Sequence, residues 1–182
     1  MLAHIRHTAH QPFAERGFDT VTTEEIAATA GVSISTYYRY APSKEGLLVE
    51  PVREAMAEIV AAYSNRPATE STVEALIQVF VTHAHATGDP NREMWRQAFS
   101  TTPQLLTTTT LITDRDRSTL IERVSLRLGV NASDDMDPSL LVHTCLATVK
   151  YVLDLWLTAS SLTDPPFHQQ LDRALRKALA GF

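Results

Sequence analysis

The stretch Thr22-Thr23-Glu24-Glu25-Ile26-Ala27-Ala28-Thr29-Ala30-Gly31-Val32-Ser33-Ile34-Ser35-Thr36-Tyr37-Tyr38-Arg39-Tyr40 constrains the chain most. Thr22 with Glu25 three residues on is a capping box, in which hydroxyl and carboxylate satisfy N–H groups that a helix start leaves unpaired. Ile26 and Ala30 lie four apart on one face, and Ala27 is small enough to let a second helix cross closely. Gly31 takes positive φ without steric cost, which a sharp exit from a helix requires. Val32 is expected to bury behind the turn, and Ser33 to cap a second helix. Tyr37 and Tyr40, three apart, should form the inner edge of that helix. Two short helices on a glycine turn make either a plain helix corner or a helix-turn-helix whose second helix enters the DNA major groove. Caps at both starts and apolar positions on both sides of the turn favour the helix-turn-helix.

The rest of the chain is also patterned at helical period, with no sustained apolar/polar alternation of the kind strands show. Breaks at Gly17, Gly31, Pro42, Pro67, Gly88–Pro90, Pro103, Gly129–Asn131, Pro138, Pro165–Pro166 and Gly181 leave about nine helices. They are expected near 3–16, 23–30, 34–40, 44–64, 69–86, 90–100, 103–128, 138–160 and 165–180. The fold class is therefore all-α: a three-helix head over residues 1–45 and a helical body over 46–182. The Thr-rich run from Thr101 to Thr110 lowers helix propensity within the seventh helix.

Composition excludes several classes. With 182 residues, 44% hydrophobic and 20% charged, the chain has ordinary globular content and is neither disordered nor fibrous. The single cysteine, Cys145, cannot form an internal disulfide. No apolar run is expected to reach the ~20 residues of a membrane span. The opening MLAHIRHTAHQ lacks the apolar core of a signal peptide, so the expectation is a cytoplasmic protein without a membrane partner. Net charge is −5. Within residues 1–45, Arg6, Arg16, Arg39 and Lys44 are outnumbered by Glu15, Asp19, Glu24, Glu25 and Glu45. Bulk charge thus gives no reason to expect nucleic acid, and that reading stands on the motif alone.

The motif extends beyond the two helices. Phe13-Ala14-Glu15-Arg16-Gly17-Phe18, the Thr22–Ala27 and Ala30–Ser33 segments, Tyr38-Arg39-Tyr40 and Pro42-Ser43-Lys44-Glu45-Gly46-Leu47-Leu48 fall in the order and spacing of one known head. Over roughly residues 5–48 the chain resembles the DNA-binding domain of TetR-family transcriptional regulators. That resemblance implies an all-helical homodimer that binds a palindromic double-stranded operator, usually as a repressor released by a small-molecule effector. It implies that Thr22 and Ser33 offer hydroxyls and backbone N–H groups to phosphates, and that the Tyr38 hydroxyl does the same. Tyr40 stands where the family often has histidine. Lys44 matches a lysine at the start of the fourth helix, where an ammonium and a helix N-terminus both favour phosphate. Ile34, Ser35 and Thr36 occupy the exposed first turn of the recognition helix. Isoleucine can offer only apolar contact, for instance to a thymine methyl, whereas the hydroxyls pair with several base edges.

Two positions depart from the family pattern. Pro12 falls inside the first helix, which should kink or begin late. Ala41 replaces an aromatic, leaving a gap unless Tyr37 or Tyr40 repacks.

In the body, Val73, Leu76, Ile77, Phe80 and Ala84 make an apolar stripe, continued by Trp95 with Phe99 and by Leu105, Ile112, Leu120, Val124 and Leu128. Such stripes are either plain core or the wall of an apolar ligand cavity with a few polar groups. For the second case, and where the resemblance places a cavity, the lining candidates are Phe80, His83, Trp95, Phe99, Leu106, His143 and Tyr151. The eighth helix is apolar over more than half its girth, and Phe167, Leu171, Leu175 and Leu179 recur strictly four apart in the ninth. An all-round apolar helix must be covered on two sides, within one monomer or by a second copy. The resemblance favours the second copy, with Leu146, Val149, Leu153, Trp156, Phe167, Leu171, Leu175 and Leu179 at the dimer interface.

Other chemistry finds little support. His4, His7 and His10 drift around the helix at three-residue spacing, His83 and His85 point to opposite sides, and neither set has a metal-ligand signature. No cofactor or metal is expected. No nucleophile elbow, phosphate loop or Cys/His signature marks an enzyme, so no catalytic residues are assigned. A helix-turn-helix relative that has lost DNA binding and acts through ligand or protein partners remains the alternative, and a small helical enzyme is more remote.

Overall fold

The computed structural model describes residues 1–86, 91–159 and 165–182. Among these residues the regular structure is entirely helical. The order is α1 (Leu2–Arg16), a 3-10 turn (Phe18–Thr20), α2 (Thr23–Thr29), α3 (Ile34–Tyr40), α4 (Gly46–Tyr63) and α5 (Thr72–Ala86). Then come α6 (Asn91–Ser100), α7 (Leu105–Thr108), α8 (Asp114–Leu128), α9 (Asp137–Thr158) and α10 (Phe167–Ala178). The break expected at Gly88–Pro90 and the end of the 138–160 helix at Ser160 lie outside the described residues.

Contacts divide the chain into two compact units, Met1–Val52 with Gly88–Leu111 and Arg53–Thr87 with Ile112–Phe182. The head expected over residues 1–45 lies wholly within the first of these units. The first turns of α4, together with α6 and α7, belong to the unit that holds the helix-turn-helix.

In the first unit, Ile5, Ala9 and Phe13 bury one edge of α1, the helix that packs against α6. Helix α1 runs through Pro12 from Leu2, so the late start expected from that proline does not occur. The ring removes only the one hydrogen bond to the Thr8 carbonyl. A second proline, Pro51, lies inside α4 and leaves the Leu47 carbonyl without its partner four residues on. The buried His10 replaces it: Nε2 donates to Leu47 O at 3.1 Å, and because a carbonyl can only accept, Nε2 carries the proton. One residue along, the Trp95 indole Nε1 donates to Leu48 O at 3.0 Å. Ala41 is buried, and Tyr37, with no exposed surface, is the aromatic that packs inward. Tyr40 is exposed and Val32 only half-buried, so the expected inner edge of α3 shrinks to Tyr37. Its neighbour across the turn cannot cover both faces of a two-turn helix.

In the second unit α10 packs on α5 and α9, and α8 packs on α9. The expected helix over 103–128 splits, because Thr113 caps a fresh start. Its hydroxyl accepts from Asp116 N at 3.1 Å and donates to the Asp116 carboxylate at 2.7 Å. Arg123 donates to the Val60 carbonyl, and Arg127 to the carbonyls of Pro67 and, at 2.9 Å, Glu70. These two cations hold the C-terminal end of α4 and the loop after it, where carbonyls lack helical partners. Arg176 of α10 grips Glu74 of α5 with two bonds of 2.9 and 3.0 Å.

Helix α9 corrects one expectation. Over 22 residues it is long and apolar enough to cross a membrane by length and composition. Yet Leu141, Val142, Cys145, Val149, Val152, Leu153, Trp156 and Leu157 are buried in its own unit, which is how a core helix of a folded bundle reads.

Candidate nucleic-acid interface

Helices α2 and α3 are held by local chemistry that the sequence specifies. Thr22 Oγ1 accepts from Glu25 N at 3.2 Å while the Glu25 carboxylate accepts from Thr22 N at 2.9 Å, completing the capping box. The Thr22 N–H, with the Arg16 guanidinium 3.1 Å away, holds the Glu25 carboxyl below its ordinary range. Gly31 carries φ +67° at the turn, where a side chain would be strained. Ser33 then caps α3, accepting from Thr36 N at 3.1 Å and donating to Thr36 Oγ1 at 2.9 Å.

This arrangement fixes α3 with one face inward and the other in solvent. Ile26, Ala27 and Tyr37 are buried between the helices, and burial pushes the Tyr37 phenol up to about 12. Thr22, Ser33, Ile34, Ser35, Tyr38 and Tyr40 are all exposed, and Thr36 is half-buried. Ile34, Tyr38 and Tyr40 leave apolar surface open on a helix of seven residues. The Tyr38 hydroxyl meets Thr23 Oγ1 at 3.1 Å, and its ring stands edge-on to Tyr37. Thr23 is thus a member of the surface that residue spacing did not single out, although its place beside the cap could have done so. The Arg39 guanidinium lies 5.0 Å from the Tyr40 ring centre, keeping a cation on the exposed face.

Lys44 is placed differently from the other seven. Its ammonium donates to Phe18 O at 2.9 Å and Val21 O at 3.0 Å and lies 4.3 Å from the Phe18 ring centre. Helix α4 begins two residues later, at Gly46, capped by the Ser43 hydroxyl at 3.0 Å.

The seven residues expected to line a ligand cavity fall in both units. Trp95, Phe99 and Leu106 belong to the first unit, and Phe80, His83, His143 and Tyr151 to the second. Phe80, Phe99 and Leu106 are buried, Trp95 is tied to Leu48 O, and His83 lies 3.9 Å from the Glu58 carboxylate. His143 and Tyr151 are exposed on α9, with His143 Nδ1 turned back to the Ser139 carbonyl at 2.7 Å. The second unit also carries an open groove of about 290 Å³ between Ser118, Ile121, Leu126 and Val130, which none of the seven touches.

The residues expected at the dimer interface lie on α9 and along α10 to its C-cap at Leu179. Leu171, Leu175 and Leu179 are at most 2% exposed in the protomer, and Val149, Leu153 and Trp156 are also buried. Leu146 and Phe167 are half-buried. The apolar residues that α9 does leave open are Leu140, Tyr151 and Leu155, with Ala147 between them at helical spacing.

Comparison with known proteins agrees with this geometry. Residues 5–50 match the family model described as bacterial regulatory proteins, tetR family. The HTH-type transcriptional regulator TcmR of Streptomyces glaucescens is 25% identical over 152 residues, covering 79% of this chain and 67% of that protein. FadR of Thermus thermophilus, a TetR-family repressor solved with lauroyl-CoA, superposes with TM-score 0.61 at 24% identity, covering 100% of this chain and 95% of that one. SmeT, the repressor of the SmeDEF multidrug efflux pump of Stenotrophomonas maltophilia, gives TM-score 0.64 at 20% identity, covering 100% and 89%. With the capped helix-turn-helix, its exposed face and the all-helical body in place, residues 5–50 carry the DNA-binding head of the tetR family, and the chain is similar to TetR-family transcriptional regulators over most of its length.

Proposed function

We propose that the protein is a homodimeric repressor that binds a palindromic operator and is released by a small, largely apolar effector. The observation that carries this reading is the exposed face of α3, whose Ile34, Ser35, Tyr38 and Tyr40 stand clear of a helix anchored by the buried Tyr37. In that docking Thr22, Ser33 and Tyr38 meet phosphates. Ile34 offers a methyl-bearing surface to thymine, and Ser35 and Thr36 reach base edges. Thr36 Oγ1 accepts from Ser33, which leaves its own proton to donate. Tyr40 with Arg39 flanks the backbone. The second copy is taken by the open stripe Leu140, Ala147, Tyr151 and Leu155 of α9, because a two-fold axis along one helix pairs the stripe with itself. A largely apolar effector is supported by a relative of the same fold that was solved with an acyl-CoA.

The test is selection of duplex DNA from a genomic pool by the purified full-length protein, followed by sequencing. The expected product is an inverted repeat whose half-sites lie about one helical turn (~34–36 Å) or slightly more apart. Failure to enrich any sequence would refute the reading and favour a regulator that acts through ligand or protein partners.

A further inference from the structure

We infer that His85 and His168 form a two-histidine site for a borderline divalent metal ion such as Zn²⁺, joining α5 to α10 inside the second unit. The inference goes beyond the regulatory reading and does not depend on it. Spacing along the chain pairs neither residue with a ligand, but the fold brings them together. His85 sits in the last turn of α5 and His168 in the first turn of α10, the helix that packs on α5. Their ring centres lie 4.8 Å apart, with the ring planes inclined at 72°. At the other end of the same helix pair, Arg176 grips Glu74 with bonds of 2.9 and 3.0 Å, and Leu171 and Leu175 between the two contacts are buried. The backbones that carry the two rings are therefore held in register.

An imidazole ligates zinc through a ring nitrogen about 2.0–2.1 Å from the metal. Adding roughly 1.2 Å from that nitrogen to the ring centre puts two rings on one tetrahedral ion about 5 Å apart, centre to centre. The observed 4.8 Å meets that requirement. Inclined rings can each direct a nitrogen toward a common point, which a parallel stack cannot. Ligation also needs a nitrogen lone pair that is not committed elsewhere. His4, His10 and His143 each turn a ring nitrogen to a backbone carbonyl, and His83 lies 3.9 Å from the Glu58 carboxylate. Neither His85 nor His168 hydrogen-bonds to another described residue. The remaining histidine, His7, stands on α1 in the first unit. His85 is exposed and His168 half-buried, so water can complete the coordination. Two neutral imidazoles with water suit Zn²⁺, Ni²⁺ or Cu²⁺, whereas Mg²⁺ and Ca²⁺ take oxygen ligands.

The test titrates zinc chloride into the full-length protein by calorimetry, with magnesium chloride as the control, and follows the thermal midpoint of the same samples. Wild type should bind one Zn²⁺ per protomer and no Mg²⁺. Zn²⁺ at tenfold over its dissociation constant should raise the midpoint by about 3–6 °C, the gain from a ligand that binds only the folded state. His85→Gln and His168→Gln should each weaken Zn²⁺ binding about tenfold or more and remove that rise. His7→Gln should change neither reading. Without metal, both site variants should keep their midpoints within about 2 °C of wild type, as surface substitutions do. If His168→Gln does not fold, His85→Gln, at the exposed position, decides. A wild-type protein that takes up no Zn²⁺ at millimolar concentration would overturn the inference, and so would Zn²⁺ bound as tightly by the two site variants as by wild type. No outcome involves DNA, so a failure of the operator reading and a failure of the metal site are read separately.

Discussion

Replacing Leu175 by Ala and Leu155 by Glu separates the core of the second unit from its free surface. Leu175 has no exposed surface and sits in α10 between Leu171 and Leu179, which are also buried. Truncating a fully buried leucine costs about 2–5 kcal/mol, from lost apolar transfer and the cavity left behind. That is a large share of a typical total of ~5–15 kcal/mol. Leu155 is 47% exposed on α9, and a surface substitution of that kind costs the isolated protomer about 0.5 kcal/mol or less. Urea unfolding at two protein concentrations, with sedimentation velocity on the same samples, reads both effects. A dimer gains stability with concentration, a monomer does not. Leu175→Ala should lower the urea midpoint sharply and still dimerise. Leu155→Glu should sediment as a monomer, with a midpoint that no longer depends on concentration. If Leu175→Ala keeps its midpoint but loses the dimer, the leucine stripe of α10 is the seam after all and the packing described here is wrong.

His10→Leu keeps an apolar volume but leaves the Leu47 carbonyl, already deprived of a donor by Pro51, without its bond. The expected loss is about 1–3 kcal/mol, and an unchanged thermal midpoint would contradict it. Glu74 and Glu93 are held below the ordinary carboxyl value of 4.5, chiefly by hydrogen bonds from Arg176 and Arg96. Their folded values are depressed, so the stability they add is present above 4.5 and is lost as pH falls below it through the lowered folded values. Acid titration of the urea midpoint should show a shallower loss in Glu74→Gln than in wild type. Burial pushes the Cys145 thiol up to about 12. It should resist a thiol reagent near pH 8 until the second unit opens, and rapid labelling of the folded protein would count against its placement.

What could be read from residues alone depended on whether the partner was local. The caps of α2 and α3 join residues three apart, so Thr22, Glu25, Ser33 and the Gly31 turn were legible in full. The split at Thr113 was legible in principle, because Thr113-x-x-Asp116 is the same kind of cap, but the long apolar repeat on either side masked it. Periodicity established that the α10 leucines are buried; it carries no information on whether α5, α9 or a second copy covers them. Leu171, Leu175 and Leu179 are buried within the protomer, while Leu140, Tyr151 and Leu155 of α9 stay open. Lys44 shows the same limit at the site. Its type and position suit a phosphate, and only the fold reveals carbonyls 23 and 26 residues away engaging two of its three donors. Thr101, whose hydroxyl accepts from Phe18 N 83 residues away, has no sequence signal at all.

The most direct test of the central claim is the affinity of the full-length protein for its selected duplex against a scrambled one of equal length, at ~150 mM salt. A recognition helix presenting Ile34, Ser35 and Thr36 to base edges predicts a preference of at least about 10³-fold. Equal affinity for the two duplexes would show that α3 reads no sequence, and would contradict the account.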